Sequence, residues 1–511
     1  MMDIYLNKEK LDFVKNVLST SLTHEETMEM IVPDALPDIL RIVDVDATAF
    51  LRSKSSDNGR VTITGNVDAV VLYCPDGEDG IRKMTLDIPF SFSVTDSEIT
   101  PATRVTAVVR VVSADASMIN PRKIIARVEL LGHLGCYNDA ELVLSGSIED
   151  DNDAGIEIMT NTSDIVTTTL VREKTFVVAD DIQVPHSNPP VGTILKYKVD
   201  LTPEETKAVG SKLIVRGTAD VVLHYLPPED NEMVRLDYST EFSQILELDN
   251  PESEGFYDID IMLTNAYFDA DNTPSNPDGR TVVMELHAVA QCVASEKKTV
   301  TYIADMYSTK YPLNPEVEQY AFDTRAHSKA TAVFHNVLKT QKPVSRVLAM
   351  NVHTGPVEKK LEGNAVKCPL NINAVYLTDD GEIMSSSQNA EVEVNTEIHD
   401  NAKFMALAKC GKDVFSAAVN EGIDVRIPVE INVTEIMENN VNMLSGLSYD
   451  ENAPLDNSKF PSLVVARPTN QDTLWLMAKK YRSTPSLILA ANELEGEEDI
   501  VPGKLLIIPK K

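Results

Sequence analysis

The most regular feature of the chain is a short alternation of apolar and polar residues that occurs three times. Val61, Ile63, Val67, Ala69, Val71 and Tyr73 share one parity, while Thr62, Thr64, Asn66 and Asp68 take the other. Leu213, Val215, Ala219, Val221, Leu223 and Tyr225 repeat it, and Val366, Leu370, Ile372, Ala374 and Tyr376 keep it in a weaker third copy. A period of two rich in β-branched residues predicts half-buried strands with one face turned inward. Gly65, Asp68 and Tyr73 correspond to Gly217, Asp220 and Tyr225, whereas Cys368 stands where the third glycine would be. Tyr73, Tyr225 and Tyr376 follow one another at 152 and 151 residues, a near-equal spacing that argues for triplication.

Turn-rich segments follow each strand at 75–80, 227–232 and 378–382, as hairpin connections require. Pro369 lacks a ladder donor, so the third copy's strand is expected at an edge or a bulge. Other segments recur in the same frame: 38–43, 190–195 and 343–348, and the strands beginning at Arg122 and Arg280. KTFVVAD (174–180) and KTVTYIAD (298–305) read as matching leading strands. On that reading Glu316–Lys339 is an inserted, partly helical segment. The fold expected is mainly β, with three tandem antiparallel β-sandwich-like domains.

The last fifty residues change pattern. Residues 462–468 and 507–509 read as short strands, and two helical stretches lie between them. Asp472 is placed to cap a helix carrying Leu474, Met477, Ala478 and Tyr481 at helical spacing. Thr484 and Pro485 start a second helix that runs through Ala491 and stops near Asn492. The resulting boundaries are a helical N-terminal segment at 1–25, β domains at 26–168, 169–296 and 297–437, a linker at 438–460 and a small α+β unit at 461–511.

Composition then removes function classes. A formal charge of −33 disfavours nucleic acid and anionic lipid. No run of apolar residues is long enough to span a membrane, and the N-terminus lacks a signal-peptide core, so a cytosolic chain is expected. Five scattered cysteines, with no ligand spacing, read as buried reduced thiols. Nine dispersed histidines include His224 and His287, both expected at the surface or satisfied, and there is no HExxH, GxSxG or P-loop motif. The carboxylates Asp180, Asp181, Glu149, Asp150, Asp151, Glu497 and Glu498 fall in predicted loops as solvated charge. Asp68 and Asp220 are expected to face outward. No catalytic residue, metal ligand or cofactor is predicted.

DILRIVDVDA at residue 38, followed by the V-x-I-x-G-x-V strand ending in Tyr73, resembles the SPOCS domain of bacterial spore-coat proteins. The run from DTLW through AKKY and LILAAN to PGKLLIIP resembles a LysM domain, and the ordered set resembles the clostridial SipL type. The resemblance implies a non-enzymatic scaffold in the mother-cell cytoplasm at the forespore surface. It implies a LysM unit that binds the coat morphogenetic ATPase, with other coat proteins as further partners. Peptidoglycan or another N-acetylglucosamine glycan, bound at cell wall or cortex, is the alternative. The groove it implies is formed by Gln471, Asp472, Thr473, Leu474 and Trp475 facing Asn492, Ile500, Val501, Pro502 and Gly503. Gln471 replaces the family's usual glycine, and Glu493, Glu495, Glu497, Glu498 and Asp499 make an acidic wall suited to a basic protein patch. Trp475 reads either as a packing residue or as an exposed aromatic anchor.

Overall fold

Apolar residues recur at a period of two along most of the chain, so strands absorb nearly all of it. The computed structural model describes residues 2–149, 154–228, 232–248, 255–270, 276, 278–360, 365–396, 398–399, 402–456, 458 and 461–510. Strand accounts for 74% and helix for 4%, which leaves helix almost no place outside the C-terminal unit. In the first repeat, Ile39–Asp57, Arg60–Pro75 and Arg82–Thr95 form one antiparallel sheet. Arg104–Asn120, Lys123–Glu149 and Tyr5–Ile31 form the facing layer. The second repeat stacks Thr193–Val209, Lys212–Leu226 and Val234–Glu247 against Phe256–Asp269, Thr281–Ser308 and Ile156–Gln183. The third stacks Val344–Thr354, Ala365–Thr378 and Ile383–Asn395 against Lys403–Cys410, Gly422–Tyr449 and Leu313–Lys339. The alternating residues that predicted the strands are the buried faces of these sandwiches.

Each landmark has a physical task. The Tyr73 hydroxyl donates to the Pro37 carbonyl at 3.1 Å, and Tyr225 does the same to Pro189 at 2.7 Å. Arg122 and Arg280 clamp the same loops, donating to the Leu36 carbonyl at 2.9 Å and the Asn188 carbonyl at 3.0 Å. Gly65 and Gly217 lie where the neighbouring strand shifts register, so a Cβ would sit 2.2 Å from the Phe50 carbonyl oxygen or 2.3 Å from that of Thr202. Gly65→Ala is therefore expected to cost about 1–3 kcal/mol of stability, from forced backbone movement, measurable by urea denaturation. Pro369 corrects an expectation. Its strand is central, paired with Val344–Thr354 and Ile383–Asn395. The missing donor is tolerated because the partner strand breaks after Thr354, where the Gly355 N–H donates to the Pro369 carbonyl at 2.8 Å.

The three sandwiches close around a common pseudo-threefold axis. Val43, Leu195 and Leu348, the same position in each repeat, meet there with Leu72 and Val375. Edge contacts run cyclically: Lys83 of the first repeat donates to the Ile194 carbonyl of the second, Arg346 of the third pairs with Glu232 of the second, and Arg41 of the first donates to the Ile383 carbonyl of the third. At the axis the Lys196 ammonium is buried, 2.6 Å from Asp44 and 2.6 Å from the Asn351 side-chain oxygen. Asn351 and Asn373 also donate to Asp44, at 2.8 and 2.6 Å. The faces read as polar and outward are thus partly inter-repeat surface. His224 is buried there, 6% exposed, which corrects its surface assignment. Burial pushes its imidazole down to about 3, and the Lys196 charge adds to the shift. A histidine held neutral in the fold contributes stability that is present above its unfolded value of about 6.5 and lost as pH falls. His224 alone is expected to withdraw about 2 kcal/mol by pH 5, checked by denaturation against a His224→Gln variant.

Beyond the sandwiches the leading and trailing strands of each repeat continue as two-stranded ribbons. Tyr5–Ile31 pairs with Lys123–Glu149, Ile156–Gln183 with Thr281–Ser308, and Leu313–Lys339 with Gly422–Tyr449. Their distal parts, each roughly 40 Å long at about 3.3 Å per residue, pack on one another through Leu142, Ile165, Tyr302, Tyr320 and Met443. Several sequence expectations are corrected here. Residues 1–25 hold strands rather than a helix, and Glu316–Lys339 is the leading strand of the third repeat rather than a helical insertion. Residues 174–180 and 298–305 lie in antiparallel partner strands of one repeat, so the latter cannot lead the third. The boundaries at 168/169, 296/297 and 437/438 fall inside Ile156–Gln183, Thr281–Ser308 and Gly422–Tyr449. In each case pairing with a distant segment overrides local helical spacing. Asp150, Asp151 and the turn residues 229–231 lie outside the described residues.

Candidate functional site

The C-terminal unit pairs Leu463–Ala466 with Leu506–Pro509 and packs two helices on that ribbon, α1 (Leu474–Tyr481) and α2 (Pro485–Ala491). Thr473, not Asp472, caps α1, its hydroxyl accepting from the Leu476 N–H at 3.2 Å. The Asp472 carboxylate instead accepts from the Thr469 N–H at 2.9 Å and its hydroxyl at 2.7 Å, and these bonds hold it below the usual carboxylate range. Thr484 caps α2 with Pro485 in its first turn, as its sequence predicts.

The two groove loops are tied directly. The Gly503 N–H donates to the Pro468 carbonyl at 2.8 Å, with Gly503 at φ +82°. The Leu474 N–H donates to the Glu497 carboxylate at 2.8 Å. Asp472, Thr473 and Leu474 are therefore brought opposite the segment Ile500–Gly503, with Val501, Pro502 and Gln471 exposed and Ile500 half-buried. Glu497 fills a site at the start of α1 that an N–H would otherwise offer to a ligand. Asp499, itself exposed, folds back on its own loop, accepting from the Glu495 and Gly496 N–H groups at 2.9 and 3.2 Å. Glu493, Glu495 and Glu498 remain exposed.

Asn492 and Trp475 do other work. The Asn492 amide donates to the Ile488 and Ile507 carbonyls at 2.7 and 2.6 Å and accepts from the Ile507 N–H at 2.7 Å, locking α2 to the last strand. The Trp475 indole N–H donates to Asp305 at 2.7 Å, and its ring meets Tyr307 edge-on at 4.9 Å between centroids. Lys479 pairs with the other Asp305 oxygen at 2.5 Å, and the Tyr307 hydroxyl donates to the Ser483 carbonyl at 2.8 Å. Desolvation opposes the charge on Asp305, but the bonds from Lys479 and Trp475 outweigh it and keep the carboxyl below its ordinary range. The tryptophan is an anchor after all, but to its own chain. Asp305, Tyr307, Lys479 and Ser483 were missed by sequence reasoning, because nothing local links Trp475 to a residue 170 positions away.

Other chemistry is sparse among the described residues. No group of three or more His, Cys, Asp or Glu side chains is arranged to hold a metal ion. All five cysteines are free, and burial pushes the thiols of Cys136 up to about 11 and of Cys292 and Cys368 up to about 12. No helix is long and apolar enough to cross a membrane.

Tandem β-sandwich repeats followed by a small groove-bearing unit are an architecture of binding and scaffold domains. Comparison with known families matches residues 38–119 and 190–271 to the family described as SipL, SPOCS domain, and 469–509 to the LysM domain. The chain thus carries two segments similar to the SipL SPOCS domain followed by a segment similar to a LysM domain, a domain class associated with peptidoglycan, in the order the sequence resemblance implies. No curated protein and no solved structure matches it. The two SPOCS matches are offset by the same 152 residues as Tyr73 and Tyr225. The third repeat, with Cys368 and Pro369 at the glycine position, lies outside the matched residues but keeps the same strand plan.

Proposed function

We propose that the chain is a non-enzymatic adaptor of spore-coat assembly, working in the mother-cell cytoplasm at the forespore surface. Repeat units at 2–149, 156–308 and 313–449 build a rigid body that carries the LysM unit at 463–509. The LysM groove engages the coat morphogenetic ATPase, and the repeats present surface to other coat proteins. The observation that carries this reading is the Glu497–Leu474 bond, which places a carboxylate of the chain itself in the groove. A sugar amide or hydroxyl would have to displace it, whereas a basic protein patch would be drawn to Glu493, Glu495 and Glu498 beside it. Reversing charge at Glu497 would also break the groove, so the informative variant is Glu493→Lys with Glu498→Lys. It is expected to weaken ATPase binding about tenfold or more, or ~1.4 kcal/mol, with the β-sheet circular dichroism unchanged. Undiminished affinity would remove the acidic wall from the contact.

A further inference from the structure

The outer sheets of the three repeats carry equivalent faces, and the third breaks the pattern. Arg127 and Arg426 hold the same place on the central strands, each three residues after a buried isoleucine, Ile124 or Ile423. Around Arg127 the first repeat sets Glu25, Glu29, Asp115 and Glu129, with Glu25 3.4 Å from the guanidinium. Around Arg426 the same four positions are, in that order, Val333, Val337, Phe415 and Pro428. Phe415 belongs to Phe415–Val419, a short strand paired with Gly422–Tyr449, and Val419 closes the face at its far end. The second repeat is intermediate, with Val177, Asp181, Tyr267 and His287 at these places. Val333 and Phe415 are 64% and 49% exposed, and Val337 and Val419 are exposed too. The fold does not require this, because the first repeat builds the same sheet with four acids. An exposed apolar patch with a polar rim marks a surface for association.

Charge selects the occupant. The chain carries −33, so a basic partner is drawn to acid-rich surface elsewhere and gains little from a face without those four acids. An acidic partner gains most, since repulsion is least here, and a second copy of the chain is such a partner. The charges that remain are self-complementary. Arg426 lies over the Phe415 ring, 5.6 Å from its centroid, and 3.9 Å from Asp424, which also takes His335 at 2.8 Å. Arg426 and Asp424 stand one rung apart on one strand, so a two-fold axis between them sets each arginine opposite the second copy's aspartate. We propose that the outer face of the third repeat joins two copies of the chain, face to face about a two-fold axis. From strand spacing and rise the face measures about 20 by 15 Å, or about 300 Å². A stable dimer buries about 800 Å² per copy, so this association is weak and reversible.

The test is sedimentation equilibrium of the full chain from about 5 to about 300 μM, a range that brackets weak self-association. A monomer–dimer equilibrium is expected, and it tightens as added salt screens the repulsion between the two chains. Val333→Glu with Phe415→Asp restores the acids that the first repeat carries at these places. That variant should weaken the dimer about tenfold or more, with β-sheet circular dichroism unchanged, while Glu25→Gln on the first repeat's face leaves the dimer as it was. Val333→Glu alone gives the same reading if the paired variant fails to fold. Two results would overturn the proposal: a chain that stays monomeric throughout the range, or a dimer indifferent to these substitutions. If the monomeric chain binds another coat protein and the variant does not, the face belongs to that protein instead.

Discussion

An Asp44→Ala variant is expected to unfold about 3–5 kcal/mol more easily than the parent chain in urea. Asp44 comes from the first repeat, Lys196 from the second, and Asn351 and Asn373 from the third, and all four meet at the axis. Both charged side chains are essentially excluded from water, at 2% and 0% side-chain exposure. Burial alone would discharge Lys196, but Asp44 and Asp46 outweigh it and raise the ammonium above its ordinary value. Its contribution is therefore complete at neutral pH and is lost only as pH rises through that raised value. Removing Asp44 leaves the ammonium only the more distant Asp46 carboxylate, at 3.4 Å, and two asparagines lose their acceptor. The double variant Asp44→Leu, Lys196→Met removes both charges and is expected to recover most of the loss. A loss below about 1 kcal/mol for the single variant, the range of surface pairs, would mean that the repeats do not close on this cluster.

Asp305→Ala is expected to release the LysM unit from the β body. Trp475 and Lys479 both bond to that carboxylate, and hydrogen bonds to a charged group are worth about 1.5–3 kcal/mol each. Trp475 is the chain's only tryptophan, so its fluorescence reports this contact alone. The variant should show red-shifted emission and freer acrylamide quenching with unchanged β-sheet circular dichroism. The depressed carboxyl of Asp305 sets the sign with pH: docking holds above the ordinary aspartate range near 3.9 and is lost as pH falls through the lower folded value. Emission that stays blue in Asp305→Ala would show that the ring stacking on Tyr307 suffices.

The core strands were legible because alternation is a local signal: each of Val61 to Tyr73 declares its face through its neighbours two residues away. The ribbons were not. Tyr5–Ile31 and Leu313–Lys339 carry spacings compatible with a helix, and only partners 83 to 144 residues later make them strands. The same distance hid Asp305 from Trp475. Polarity misled in a further way. Asp44, Lys196 and His224 look like solvent positions on their strands, yet the assembly of three repeats turns that face inward. In the LysM unit the two short strands and the two helices between them were legible, since short-range order fixes them. Asn492 and Asp499 instead proved to be fasteners, because side-chain direction in a loop is decided by which backbone groups need partners.

The central claim, that this LysM groove reads a protein rather than a sugar, is tested most directly by one side-by-side measurement. Full-length protein is captured on immobilised coat morphogenetic ATPase and, in parallel, co-sedimented with purified peptidoglycan, each with and without Glu493→Lys and Glu498→Lys. The account predicts saturable capture by the ATPase that the substitutions weaken, and no sedimentation above background. Peptidoglycan binding that persists while ATPase capture is absent would contradict it.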